Sequence, residues 1–245
     1  MRILKTLVLA AAFPVVAFAA GGHVALDRAP IDNHDTASLQ RGAKLFVNYC
    51  MGCHGAQYMR YNRLTDLGIT EQQIKDNLMF NADKVGEPML SSMDAKAAAK
   101  WFGAQPPDLS VVARSRGADW LYTYLRTYYR DDSRATGWNN LAFPNVGMPH
   151  VLWELQGTQE LEAREGSGDG HGASHAAPSL KLVSAGAMPP KQYDAAVADL
   201  VNFLVYLGEP ARTHRVQLGV LVLLFLGVLF VVAYPLKKEF WKDIH

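Results

Sequence analysis

Asn48-Tyr49-Cys50-Met51-Gly52-Cys53-His54-Gly55 holds both cysteines of a 245-residue chain. Its C-x-x-C-H spacing lets two thiols bond covalently to the vinyl groups of one haem while the next imidazole reaches the iron. Both thiols would be consumed, leaving neither a disulfide nor a free thiol. A redox C-x-x-C expects a βαβ setting, and a zinc site expects a second Cys or His pair at ligand spacing. The sequence offers neither. One covalent haem c is therefore expected, with Cys50 and Cys53 as thioether positions and His54 as an axial iron ligand.

Upstream of the motif, Leu39, Ala43, Phe46, Val47 and Cys50 recur at helical spacing, with Asp35 or Ser38 available as N-cap. Gly42 inside this helix costs helical stability and predicts a second helix crossing closely. Tyr193 to Leu207 is the candidate partner: Val197, Leu200, Val201 and Leu204 share a face, and Gly208 and Pro210 end it. Trp120, Leu121, Tyr124, Leu125 and Tyr128 form further helical stripes, read first as core and second as pocket wall.

The ends carry a different signal. Met1 to Ala20 places Arg2 and Lys5 before an apolar run and Ala17-Phe18-Ala19 at cleavage positions, the pattern of a secretory signal peptide spanning 1–19. Val216 to Tyr234 has 19 residues without a charge, a helix about 28 Å long against a hydrocarbon core of about 30 Å. The expected organisation is an exported domain at 20–210, a transmembrane anchor at 211–235 and a short cytoplasmic tail at 236–245. The whole chain has a net charge of +1, which excludes the basic field of a nucleic-acid binder. The exported part alone holds 17 Lys and Arg against 21 Asp and Glu, a net charge of −4. Glu154, Glu160, Glu162 and Glu165 form one acidic stretch, read as a solvated surface or as a docking face for a basic partner.

A low-spin electron-transfer haem needs a second axial ligand opposite His54. Met148, in Asn145-Val146-Gly147-Met148-Pro149-His150, and Met188, in Gly186-Ala187-Met188-Pro189-Pro190, both lie in Gly/Pro loop contexts that could hold a thioether. His150 is a third candidate, read instead as a surface residue or one supporting the ligand. His171 and His175 sit in a small-residue stretch, 166–179, read as a flexible solvated loop.

Around these positions the sequence resembles the cytochrome c1 family, the membrane-anchored haem subunits of quinol–cytochrome c reductase (bc1) complexes. Residues 48–70 (NYCMGCHGAQYMRYNRLTDLGIT), 106–117 (PPDLSVVARSRG), 145–154 (NVGMPHVLWE), Tyr193 to Pro210 and the final anchor carry the resemblance in this order. It implies a mainly α fold: a class I c-type cytochrome-like haem domain with insertions, plus one C-terminal transmembrane helix. The family's axial Met occupies Gly147-Met148-Pro149, which sets Met148 above Met188. Pro107 is implied in the haem pocket, and Arg114 is implied as a propionate contact, where a guanidinium can make paired bonds to a carboxylate. Some members carry an extra disulfide that two haem-bound cysteines leave no thiols to form.

The implied function is one-electron transfer, with no catalysis by the isolated chain. Electrons pass from the Rieske iron–sulfur protein to a c-type cytochrome acceptor, within a dimeric complex containing cytochrome b. The implied location is the bacterial inner membrane, with the haem domain on the periplasmic side. The alternatives are another membrane-tethered c-type cytochrome, as a carrier or oxidase subunit, and a haem sensor or peroxidase, which would need an open sixth position.

Overall fold

The computed structural model describes residues 24–162 and 178–243. The expected signal segment and most of the 166–179 loop, including His171 and His175, lie outside these residues. Helix α1, Thr36–Leu45, starts at Asp35, whose carboxylate accepts the Ser38 N–H at 2.9 Å. Asp35 is therefore the cap, and Ser38 is one of the groups it satisfies. A π-helical turn, Phe46–Cys50, continues the helix directly into the C-x-x-C-H motif.

Strand β1 (Ala56–Arg60) pairs antiparallel with β2 (Pro88–Met89). Between them lie a 3-10 turn, Tyr61–Leu67, and α2 (Glu71–Asn77), started by a reciprocal Thr70–Gln73 capping box. Helices α3 (Ala95–Phe102), α4 (Val112–Ser115) and α5 (Ala118–Arg126) follow. Strands β3 (Tyr128–Arg130) and β4 (Trp138–Asn140) form a second hairpin, with Tyr128 opposite Asn140. After α6 (Trp153–Gln156), β5 (Gly157–Leu161) and β6 (Leu180–Ala185) form a third. The chain closes with α7 (Pro190–Gly208) and α8 (Arg212–Phe240).

The domain is mainly helical, as the family resemblance implies. Periodicity does not reveal the three antiparallel strand pairs among the described residues, because strands of two to six residues are too short for alternation to stand out. One consequence concerns Tyr128. It was read on a helical stripe with Tyr124, but α5 stops at Arg126 and Tyr128 begins β3, where it is 1% exposed.

The core forms where α1 crosses α7. Val197, Leu200, Val201 and Leu204 are all buried, as their shared face predicts. A Cβ on Gly42 would stand 2.1 Å from the Asp199 carbonyl oxygen and 2.7 Å from Phe203 Cβ, so only glycine lets the two backbones approach this closely. Beside that contact the Arg41 guanidinium grips both Asp199 oxygens at 2.6 and 2.9 Å. Asn202 donates to the Asp32 carbonyl at 2.7 Å and to Ser38 Oγ at 3.0 Å, tying α7 to the start of α1.

Helix α8 differs from the expected 211–235 span at its far end. It passes through Pro235, which cannot donate to the preceding turn, and continues to Phe240. None of its apolar span is buried by the other described residues. At its near end only Glu209, Pro210 and Ala211 separate it from α7. Across this joint Arg215 Nε meets Glu209 Oε1 at 2.6 Å.

Candidate metal centre

The C-x-x-C-H segment is shaped by backbone bonds before any side chain acts. In the π turn the Met51 N–H reaches the Phe46 carbonyl at 3.0 Å, and the Cys50 carbonyl then accepts from Cys53 N at 3.1 Å and His54 N at 2.8 Å. These bonds fold residues 50–54 tightly, so both sulfurs and the imidazole belong to one compact turn. Cys50 is buried, Cys53 is partly exposed, and the two are not bridged. Burial pushes the Cys50 thiol up to about 12, so it stands there as a neutral thiol.

The Pro106-Pro107-Asp108-Leu109-Ser110 segment packs against this turn. Leu109 N donates to the Gly55 carbonyl at 2.7 Å, Gln57 N to Asp108 Oδ2 at 2.8 Å and Tyr58 N to Ser110 Oγ at 3.1 Å. Asp108 also accepts from Ser110 N at 2.9 Å, which fixes its carboxylate. Against this framework His54 Nδ1 lies 2.7 Å from the Pro107 carbonyl. A carbonyl can only accept, so Nδ1 carries the proton and Nε2 keeps its lone pair. Burial lowers the His54 pKa, opposed by that bond and by Asp108, which favours the neutral ring a metal needs. Two unbridged thiols at attachment spacing and an imidazole with Nε2 free fit a covalent haem. Pro107 thus contributes through its backbone oxygen, while its ring is exposed.

Met148 lies in a different setting. Its sulfur accepts a hydrogen bond from Tyr124 OH at 3.4 Å, and Tyr124 OH accepts from Tyr128 OH at 2.5 Å. Trp120 stacks on Tyr124 with centroids 4.8 Å apart, and Tyr128 stacks on His150 at 4.8 Å. His150 is 2% exposed, which overturns its reading as a surface residue. Burial lowers its pKa to about 4, opposed by the nearby Gln156 side chain, and among the described residues its Nε2 has no partner at good hydrogen-bond geometry. The ring is a neutral, buried member of an aromatic wall that also includes Trp138.

Two buried asparagines that sequence reasoning missed build the loop carrying Met148. Asn139 Oδ1 accepts from Asn140 N at 2.9 Å and Asn145 N at 2.8 Å. Asn140 Oδ1 accepts from Ala142 N at 2.9 Å and Phe143 N at 3.0 Å, while its Nδ2 donates to the Tyr124 carbonyl at 2.7 Å. Asn145 takes the left-handed conformation, φ 63°, which asparagine tolerates better than most residues. The available signal was Trp138-Asn139-Asn140, whose paired amides read as a turn until β4 places them inside.

Met188 is held apart from this wall. Its N–H donates to the Leu155 carbonyl at 3.0 Å, and it borders a groove with Leu45, Tyr49, Asn48 and Lys44 on the flank of α1. Arg114 is exposed, with its stem against Gly208 at the end of α7. The arginine over the aromatic wall is Arg116, 5.0 Å from the Trp120 ring and 5.7 Å from Phe143. Among the described residues no group of three or more His, Cys, Asp and Glu side chains is placed to hold a metal ion.

Residues 27–244 match the cytochrome C1 family. The chain is 52% identical to the ammonia monooxygenase gamma subunit of Nitrosomonas europaea, covering 100% of both chains. It is also 52% identical to cytochrome c1 of Allochromatium vinosum, covering 99% of this chain and 98% of that one. Cytochrome c1 of Rhodospirillum rubrum is 30% identical over 86% of this chain and 83% of its own. With its C-x-x-C-H turn, the paired PPDLS segment and one long apolar C-terminal helix, the chain belongs to the cytochrome c1 family.

Proposed function

We propose that this protein passes single electrons from a Rieske iron–sulfur protein to a c-type cytochrome, as the haem-bearing, membrane-anchored subunit of a quinol–cytochrome c reductase that also contains cytochrome b. Cys50 and Cys53 would hold one haem by thioether bonds, and His54 Nε2 and Met148 Sδ would ligate its iron, with Met188 the runner-up to Met148. The haem, once bound, supplies the ferric/ferrous couple. The chain's own residues fix the ligands and screen them from water. Pro107 aims the imidazole through its carbonyl, and the aromatic wall holds the thioether. Family membership implies a bc1-type complex. Its dimeric state and the periplasmic placement of residues 20–210 belong to the same proposal.

The observation that carries this reading is the 2.7 Å contact between His54 Nδ1 and the Pro107 carbonyl, because it leaves the Nε2 lone pair for iron. Arg114 remains the sequence-based candidate for a propionate contact. Arg116 is the stronger one on geometry, because its guanidinium lies over the rings that adjoin Tyr124 and Met148.

Purification in mild detergent through a tag on this chain tests the assembly. Recovery with a multi-span b-type cytochrome and an iron–sulfur protein is expected. Recovery with ammonia monooxygenase polypeptides instead would move the chain to the assembly named for the Nitrosomonas relative. Rapid carbon monoxide binding by the reduced protein would overturn six-coordination and favour the sensor or peroxidase alternative.

A further inference from the structure

A thioether sulfur is a weak hydrogen-bond acceptor, and a buried tyrosine hydroxyl seldom has reason to choose one over a carbonyl. Tyr124 does so, with OH to Met148 Sδ at 3.4 Å. The choice is dictated by proton bookkeeping. Tyr128 OH lies 2.5 Å from Tyr124 OH, and each hydroxyl has one proton to give. With Tyr128 donating to the Tyr124 oxygen, the Tyr124 proton is directed at the sulfur. The hydroxyls are held by their rings. Tyr124 is packed flat on Trp120, with an interplanar angle of 11°, and meets Tyr128 nearly edge-on at 66°. Tyr128 lies parallel to the buried His150 ring, with an interplanar angle of 5°. The Tyr124 carbonyl is tied to Asn140, the residue that also shapes the Met148 loop. Sulfur and hydroxyl are therefore fixed to each other by one framework.

We propose that Tyr124, oriented by Tyr128, is a positioning residue that hydrogen-bonds the Met148 sulfur and raises the reduction potential of the centre Met148 ligates. This rests on Met148 being the axial ligand. A thioether has two lone pairs, so the sulfur can face the iron while accepting from Tyr124. A proton shared with the sulfur withdraws electron density from it. The weakened donor stabilises ferric iron less than ferrous iron, which raises the potential. The bond also restrains rotation about the long, flexible Met side chain, which among the described residues has no other hydrogen bond.

The test uses the full chain with haem bound, in detergent, and reads the reduction potential and the Met–iron absorption band of the oxidised form for Tyr124→Phe, Tyr128→Phe and Met148→Leu. Phenylalanine keeps the ring packing and removes only the hydroxyl. Were one neutral hydrogen bond, about 1 kcal/mol, felt by the ferrous state alone, its loss would shift the redox equilibrium about fivefold toward ferric iron, or about 40 mV at 59 mV per tenfold, which is the upper bound. Tyr124→Phe is expected to lower the potential by up to that amount with the band retained but shifted. Tyr128→Phe, which leaves the Tyr124 proton free to turn away, is expected to lower it by less. An unchanged potential and band in Tyr124→Phe, with the band lost in Met148→Leu, overturns the role of Tyr124 while leaving Met148 as ligand. A band that survives Met148→Leu overturns the ligand assignment itself. If Tyr124→Phe does not fold, Tyr128→Phe decides, and a potential equal to the parent's counts against the proposal.

Discussion

The two ligand candidates, His54 and Met148, are held by different means. On the His54 side the two thiols and the imidazole come from five consecutive residues, and the restraint on the imidazole is a sequence-distant backbone carbonyl, that of Pro107. On the Met148 side the restraints are side chains. The sulfur is held by Tyr124 from α5, which is oriented by Tyr128 from β3, and the loop is shaped by Asn139 and Asn140 from β4. A backbone acceptor survives almost any substitution at its own position. A hydroxyl or an amide does not. The His54 side should therefore tolerate changes around it, whereas the Met148 side should be tunable residue by residue.

The largest effect belongs to the attachment itself. The double substitution Cys50→Ala/Cys53→Ala should abolish covalent haem, read as loss of haem staining after denaturing electrophoresis. Next comes Met148→Leu, which should eliminate the Met–iron band and lower the potential, while Met188→Leu leaves both nearly unchanged. The reverse result would assign the ligand to the groove beside α1.

Asn140→Ala removes one side chain but strands the Ala142 and Phe143 N–H groups and the Tyr124 carbonyl. At about 1–3 kcal/mol for a buried polar group left unsatisfied, it should lower thermal stability by at least that much and broaden or weaken the Met–iron band. A band as sharp as the parent's would detach the loop from the wall. The smallest effect is expected from Pro107→Ala, because the carbonyl that accepts from His54 remains. Its potential should move less than that of Tyr124→Phe, and a larger shift would erase the contrast between the two sides.

The same contrast explains what was legible in the sequence. Cys50, Cys53 and His54 could be read because their chemistry is written in five consecutive residues. The α1–α7 crossing could be read because Gly42 interrupts an apolar stripe at a position where only close packing repays a glycine. Of the two readings of position 150, the surface one comes from a histidine after Met-Pro in a Gly/Pro-rich stretch, the local signature of a surface loop. Its burial comes from Tyr128 and Trp138, which meet only after the β3–β4 hairpin forms. Arg114 and Arg116 are two residues apart and chemically alike. Only folding shows that one lies along the end of α7 and the other over the rings of Trp120 and Phe143.

The joint between α7 and α8 has a mechanical consequence. A flexible carrier domain needs a leash, and three residues at about 3.5 Å each span only about 10 Å even when fully stretched. Here they are not stretched: Arg212 N bonds the Glu209 carbonyl at 3.1 Å, and Arg215 is clasped to the Glu209 side chain. The domain therefore has almost no slack on its long apolar helix: a tilt of that helix is passed directly to α7 and to the α1–α7 crossing beside the C-x-x-C-H turn.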